Sequence, residues 1–287
     1  MYGNNALMHI MTSNQKVAIV TGSSSGIGRE TSLILARNGF TTYATMRSLQ
    51  KGSDLKSIAE GEKLPLRFVQ LDVTDDNSVG NAVQTVLNEA GRIDVLVNNA
   101  GYALVGAFED LSLNEIKAQY ETNVFGLIRV TQAVLPVMRK QGSGLIVNIS
   151  SGAGRFGYPT GSAYVSSKFA VEGLSESMSY EIEPFGIKTV IVEPGMIKTN
   201  FHNAVVVAAK AQNPNSPYAS LMKGMEDNLN KLIGNGSTPQ YVAEVVLGAI
   251  TNENPKLRYL VGRDVEQWMD AKRKMSDEEF ADMMKQM

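Results

Sequence analysis

The stretch Lys16–Glu30, "KVAIVTGSSSGIGRE", passes from one periodicity to another within a single turn. Val17–Val20 is a continuous apolar, β-branched run closed by Thr21-Gly22, the pattern of a strand covered on both faces in a parallel sheet. Beyond the glycines, Ile27, Thr31, Ile34 and Leu35 recur at helical spacing as far as Asn38-Gly39, a helix stop. Glycines between a strand and a helix let the backbone turn tightly and approach a pyrophosphate, whose charge the helix N-terminus favours. A Gly-rich turn alone is most often only a turn; at the head of a strand–helix series it points to nucleotide binding. The spacing is G-x-x-x-G-x-G, without the GK[ST] of a phosphate-transferring loop.

Working outward, "FTTYATM" (Phe40–Met46), "LRFVQLDV" (Leu66–Val73), "IDVLVNNAG" (Ile93–Gly101), "GLIVNIS" (Gly144–Ser150), "IKTVIVEPG" (Ile187–Gly195) and "LRYLVG" (Leu257–Gly262) read as further strands. Helical stretches separate them, one of them spanning Asp76–Ala90. This alternation predicts an α/β fold, a Rossmann-type doubly wound parallel sheet of about seven strands with helices on both faces. Met196–Thr238, Met-bearing and interrupted at Pro214 and Pro217, breaks the rhythm and reads as a flap over the active site. Residues 15–270 form one domain in this reading, 1–14 a disordered tail and 271–287 a C-terminal tail with an amphipathic helical pattern.

The 287 residues are 43% hydrophobic and 20% charged, with a formal net charge of -2. That balance is ordinarily globular and argues against nucleic acid or an anionic membrane as the main partner. Cysteine is absent, which removes disulfides and thiol nucleophiles. The two histidines, His9 and His202, stand in no HExxH-like pattern, so no metal site is expected. The N-terminus lacks a basic region with an apolar core, and no run of about 18 apolar residues occurs, so neither a secretory signal nor a membrane span is expected. The expected location is cytoplasmic.

About 20 residues past the glycines, dinucleotide-binding chains often carry an acid that holds the ribose 2′-hydroxyl. Here the end of the second strand reads "TMRS", with Arg47 and no carboxylate. Arg47 either pairs with a 2′-phosphate, with Ser25 and Ser48 as further donors, or is a solvated loop residue. Asp72 either meets the adenine amino group or caps the following helix. "NNAG" (Asn98–Gly101) suits a crevice beside a ligand and equally a tight turn.

In chain order the glycine turn, "LDV" (Leu71–Val73), "NNAG", "ETN" (Glu121–Asn123), "NISS" (Asn148–Ser151), "YVSSK" (Tyr164–Lys168) and "EPG" (Glu193–Gly195) follow one another. With these motifs the chain resembles the short-chain dehydrogenase/reductase family, in the form with a TGxxxGxG turn and a YxxxK site, over roughly Lys16 to Gly262. The resemblance implies hydride transfer between a nicotinamide and a carbonyl or secondary alcohol, without a metal. It implies Tyr164 as general acid/base, Lys168 as its activator, Ser151 as the carbonyl-polarising hydroxyl and Asn123 as part of a proton relay. It further implies cofactor contacts from Gly22, Ser24, Ser25, Gly26, Ile27 and Gly28, from Arg47, Asp72 and Val73, and from Asn99, Ala100 and Gly101. Tyr164 and Lys168 join them, with Pro194, Gly195, Ile197 and Thr199 around the nicotinamide. NADP(H) is favoured over NAD(H) on the Arg47 argument.

Elementary chemistry stands beside the resemblance. Positions i and i+4 share a helix face, so Tyr164 and Lys168 project together. A free phenol titrates near about 10, and a neighbouring ammonium and an oxidised nicotinamide would both lower that value. Ser151 is preferred to Ser150 because it lies at the family's usual spacing before Tyr164, and successive strand residues face opposite sides. The "NIS" glycosylation pattern at Asn148 falls in a buried strand and reads as accidental. Met196, Phe201, Val205–Val207, Leu221, Met222 and Met225 suggest an apolar substrate lining, and "YATMR" is similar to family members acting on steroids, retinoids and other lipophilic alcohols or ketones. Val124–Met138 and Ala163–Tyr180 are apolar over more than one helical face, which suggests a homodimer or homotetramer. A non-catalytic NADP-binding regulator would be expected to lose Tyr164 or Lys168. An epimerase or dehydratase relative would bring a longer C-terminal region and a different glycine spacing.

Overall fold

The computed structural model describes residues 15–198 and 205–286. The disordered tail expected over 1–14, and the roles expected of Thr199 and Phe201, therefore lie outside the described residues. Seven strands, β1 (Val17–Val20), β2 (Thr41–Met46), β3 (Leu66–Gln70), β4 (Val95–Asn98), β6 (Gly144–Ile149), β7 (Ile187–Pro194) and β9 (Arg258–Val261), form one parallel sheet in the order β3-β2-β1-β4-β6-β7-β9. The chain winds outward from β1 to β3, then restarts on the other side at β4. The carboxyl ends of β1 and β4, in register through Val20 and Val97, therefore flank the topological switch point where α/β sheets hold ligands.

Helices cover both faces, as the alternation predicts. On one side α3 (Asp76–Ala90), α5 (Gly126–Gln141) and α6 (Ser162–Ile182) bury Val83, Val86, Val134, Met138 and Met178 against Ile19, Leu96 and Ile146. On the other, α1 (Gly26–Arg37) and α8 (Pro239–Thr251) bury Leu35, Val242, Val246 and Ile250 against Val20, Val97, Val147 and Val192. α2 (Ser53–Gly61) adds Leu55 and Ala59 over Ala44 and Met46. Each such fully buried side chain contributes roughly 1.5–3 kcal/mol. Local sequence sets the ends: the Asp75 carboxylate accepts from the Ser78 amide at 2.6 Å to start α3, and Gly91, at φ 71, stops it.

The segment read as a flap holds more regular structure than its sequence suggests. Val205–Val207 (β8) pairs in parallel with Ala103–Val105 (β5), and Ala219–Asn235 forms helix α7. Three-residue strands are too short for a period to register, and Gly224 and Gly234 disguise α7. A parallel bridge between Ile197 and Ser237 joins the two ends of the segment, with Lys198 N donating to Ser237 O at 2.7 Å and Ser237 N to Met196 O at 2.9 Å. The chain then forms α9 (Arg263–Lys274) and α10 (Asp277–Lys285), the latter begun by a reciprocal Ser276–Glu279 capping box. Phe280 and Met284 of α10 pack with Phe156, Val265 and Met269. Among the described residues no helix is long and apolar enough to cross a membrane.

A row of buried amides ties β4, β6 and α6 together. Asn98 Nδ2 donates to Thr131 Oγ1 and to Asn148 Oδ1, both at 2.9 Å, and Asn148 Nδ2 donates to Ser175 Oγ at 2.8 Å. Asn148 is fully buried, so its sequon is out of reach of a glycosylating enzyme. Asn148→Ala removes an acceptor from the buried Asn98 amide and should cost about 1–3 kcal/mol, read as a lowered urea midpoint with an unchanged slope.

Candidate active site

A cavity of about 2210 Å³ runs along the carboxyl edge of the sheet. Ser24, Ser25, Gly26, Arg29, Arg47 and Lys51 line it around the first turn; Gly101, Ser151, Pro194 and Gly195 line it at the ends of β4, β6 and β7, and Tyr164 and Lys168 from α6. Tyr158, Leu221, Met225, Leu229, Trp268 and Met284 also line it.

The glycine turn is shaped by how closely it approaches β4. Gly22 (φ 68) and Gly26 (φ 57) occupy the left-handed region that favours glycine. A Cβ on Gly22 would meet Ala100 Cα at 2.9 Å, and one on Gly28 would run into the Asn99 amide and the Gly22 carbonyl. Thr21 Oγ1 accepts from the backbone amides of Asn99 and Ala100, both at 3.0 Å. In return Asn99 Nδ2 donates to Thr21 O at 2.9 Å and Gly22 O at 3.2 Å. Asn99 therefore borders the cavity while its amide is spent on holding the turn. Gly28 is not part of the cavity wall; it lies beneath Gly22 as a packing residue. Ser25, the N-cap of α1, makes no side-chain capping bond, and the first turn carries no acid, so helix N–H groups are left for an anion. The turn thus fits the pyrophosphate of a dinucleotide.

At the adenosine end the structure separates alternatives left by the sequence. Arg47 is exposed on the cavity rim, Ser48 donates to Gln50 at 2.5 Å, and Lys51 adds a second cation that sequence reading missed. Helix α3 is capped by Asp75, so capping is not the role of Asp72, whose carboxylate accepts from Thr74 N at 3.0 Å and Thr74 Oγ1 at 2.8 Å on the cavity wall. Val73, Ile27 and Ile197 line the cavity as well.

On α6, Lys168 Nζ lies 5.7 Å from the centre of the Tyr164 ring and donates to Ile149 O at 2.8 Å. Ser151 borders the cavity with Tyr164; its hydroxyl donates to Pro194 O at 3.4 Å and accepts from Ala153 N at 3.1 Å. Ser150 is buried and its hydroxyl has no partner among the described residues. Both serines border the cavity. Burial raises the Tyr164 phenol above its ordinary value, and the neighbouring Ser151 hydroxyl opposes this only in part. Burial also lowers Lys168 to about 8, with Glu172 acting in the opposite direction.

Asn123 sits in a π-helical turn, Glu121–Phe125, but not on the cavity wall. Its Oδ1 accepts from Tyr102 N at 3.0 Å, and its Nδ2 donates to Tyr102 O at 2.9 Å and Ser167 Oγ at 3.1 Å. Its side chain is thereby committed to joining α4 (Leu113–Tyr120), the loop after β4, and α6. Asp264, which sequence reading missed, holds the loop after β7: its carboxylate accepts from Met196 N at 2.6 Å, and a Cβ on Gly195 would strike it. Its one signal was the glycine-bearing "VGRD" after the last strand. In the flap, Met196, Val206, Leu221 and Met225 reach the cavity, whereas Met222 packs beside Leu104 and Leu111.

A profile of short chain dehydrogenases matches residues 16–209. The uncharacterized oxidoreductase YusZ of Bacillus subtilis is 39% identical over 260 residues, 88% of this chain and 91% of its own length. Bovine (Bos taurus) retinol dehydrogenase 8 is 37% identical over 258 residues, 86% of this chain and 82% of its own. Among solved structures, a short-chain dehydrogenase from Streptomyces avermitilis superposes with a TM-score of 0.80 at 35% identity, covering 92% of this chain and 95% of that one. ElxO with NADP bound superposes with a TM-score of 0.71 at 29% identity, covering 86% and 96%.

Trp268, the single tryptophan, stands edge-on to Phe156 at 5.7 Å, and Phe280 of α10 contacts the same ring at 5.8 Å. Phe280→Ala should cost about 3–5 kcal/mol in thermal or urea unfolding and shift the Trp268 emission to the red. An unchanged emission maximum would show that α10 does not shield this wall of the cavity.

Proposed function

The chain belongs to the short-chain dehydrogenase family, and on that premise we propose that it is an NADP(H)-dependent oxidoreductase acting on the carbonyl or secondary alcohol of an apolar small molecule. The observation that carries this reading is the convergence, in one cavity, of the glycine turn with Tyr164, Lys168 and Ser151. A bound nicotinamide would supply or accept the hydride. Tyr164, holding its proton at neutral pH, donates it to a carbonyl oxygen, which Ser151 also contacts. Lys168, charged below about 8, offsets the phenolate that remains. Asn123 acts in this scheme by fixing α6 through Ser167 rather than by touching substrate.

The preference for NADP(H) rests on Arg47 and Lys51 at the cavity rim, with no carboxylate at the end of β2, and on the NADP carried by ElxO. The apolar substrate class rests on Leu221, Met225, Leu229, Leu232 and Trp268, with residues 196–238 serving as the substrate flap, and agrees with the name of the retinol dehydrogenase relative. Assembly as a homodimer or homotetramer is supported by the exposed rings of Phe125, at the head of α5, and of Phe169 and Tyr180 on α6.

Oxidation of NADPH and of NADH with a panel of apolar ketones tests this. NADPH should be preferred, Tyr164→Phe should cut turnover by about 10²-fold or more, and Arg47→Asp should erase the preference. Because the proton donor is lost as pH rises, ketone reduction should fall on the alkaline side. Cofactor binding without turnover of any carbonyl would favour the regulator instead. In sedimentation velocity, Phe169→Asp should dissociate the oligomer.

A further inference from the structure

Further along α6, one and two turns beyond Lys168, five charged side chains are packed together. Glu172, one helical turn after Lys168, is buried; its Oε2 accepts from Arg258 Nε at 3.0 Å, and its Oε1 has no hydrogen-bond partner among the described residues. Glu193 of β7 is 1% exposed, accepts from Arg155 Nη1 at 2.8 Å and lies 3.7 Å from Arg258 Nε. Glu176, the next turn along α6 and half-exposed, takes the other side of Arg258 at 2.5 Å. The fit is close: a Cβ on Gly154 would meet Glu172 Cγ at 2.8 Å, Ser150 Oγ at 2.9 Å and Lys168 O at 3.1 Å.

The charges do not balance within this group. Three carboxylates, Glu172, Glu176 and Glu193, face two guanidiniums, Arg155 and Arg258. Burial and the neighbouring Glu172 raise Glu193; with all three ionised one negative charge is left, and one turn before Glu172 on the same helix face stands Lys168, whose one hydrogen bond among the described residues is to the neutral Ile149 carbonyl. Unpaired buried charges are costly, so the surplus and the lone ammonium stabilise one another.

We propose that Glu172 is a positioning residue for the reaction, its buried carboxylate supplying the counter-charge that keeps Lys168 an ammonium beside Tyr164. The inference rests on the oxidoreductase reading only for its consequence in turnover. Groups facing Glu172 are Lys168 and Glu176 on α6, Arg258 on β9, Glu193 on β7 and Arg155 on the turn before α6. Burial lowers Lys168 and Glu172 raises it, which agrees with this arrangement.

Glu172→Gln keeps the shape and an acceptor for Arg258 while removing the charge. Competitive acetylation of Lys168 by acetic anhydride across pH 6–10, read by mass spectrometry, follows its protonation without turnover. The midpoint should fall by about one pH unit, so that Lys168 reacts roughly fivefold faster at pH 7. The alkaline limb of ketone reduction should move to lower pH with it. Glu176→Gln removes an equal charge from the half-exposed end of the same Arg258 and should leave the midpoint in place. Arg258→Gln, which strips Glu172 of its partner, should move the midpoint upward, and carries the test if Glu172→Gln does not fold. A Lys168 midpoint unmoved by the folded variants, or moved equally by Glu176→Gln, overturns the proposal. A labelling shift without turnover of any carbonyl would instead overturn the oxidoreductase reading and leave this one standing.

Discussion

The site depends on a knot between the ends of the first and fourth strands. Thr21 takes two amides from the chain after β4 through one hydroxyl, and Asn99 returns two donor bonds to the turn after β1. Such reciprocal bonding requires the two backbones to come within van der Waals contact, which only glycine at positions 22 and 28 permits. The knot fixes where α1 begins and where Ala100 and Gly101 run, and so defines the floor on which a dinucleotide would lie. Because the sheet is parallel, the loops after β6 and β7 and the head of α6 open onto the same edge.

Burial then sets the chemistry of the pair on α6. Withdrawn from water, the phenol holds its proton more tightly and the amine more loosely. Left to solvation alone, the pair would drift toward two neutral groups as pH rises, the state least able to stabilise a developing oxyanion. Further along the same helix stand the carboxylates of Glu172 and Glu176.

What was legible in the sequence follows from range. The strand, turn and helix of residues 16–38 declare themselves because each is a local pattern, and Tyr164 and Lys168 because four residues make one helical turn. Asp264 did not, since the amide it holds lies 68 residues away. Nor did β5 and β8, too short to show a period and distant in sequence. Asn123 was found as a motif residue, yet its partners Tyr102 and Ser167 come from two other elements. The direction of the Tyr164 shift was hidden for another reason: a sequence displays which charges are near, not how much water is gone.

The bridge between Ile197 and Ser237 has a consequence for how such a chain can change. It pins both ends of the intervening segment to one spot beside the sheet edge. Insertions, deletions or wholesale exchange between those two anchors need not propagate into β7 or β9. The segment bordering the cavity is therefore free to vary as a cassette while the sheet edge stays in place.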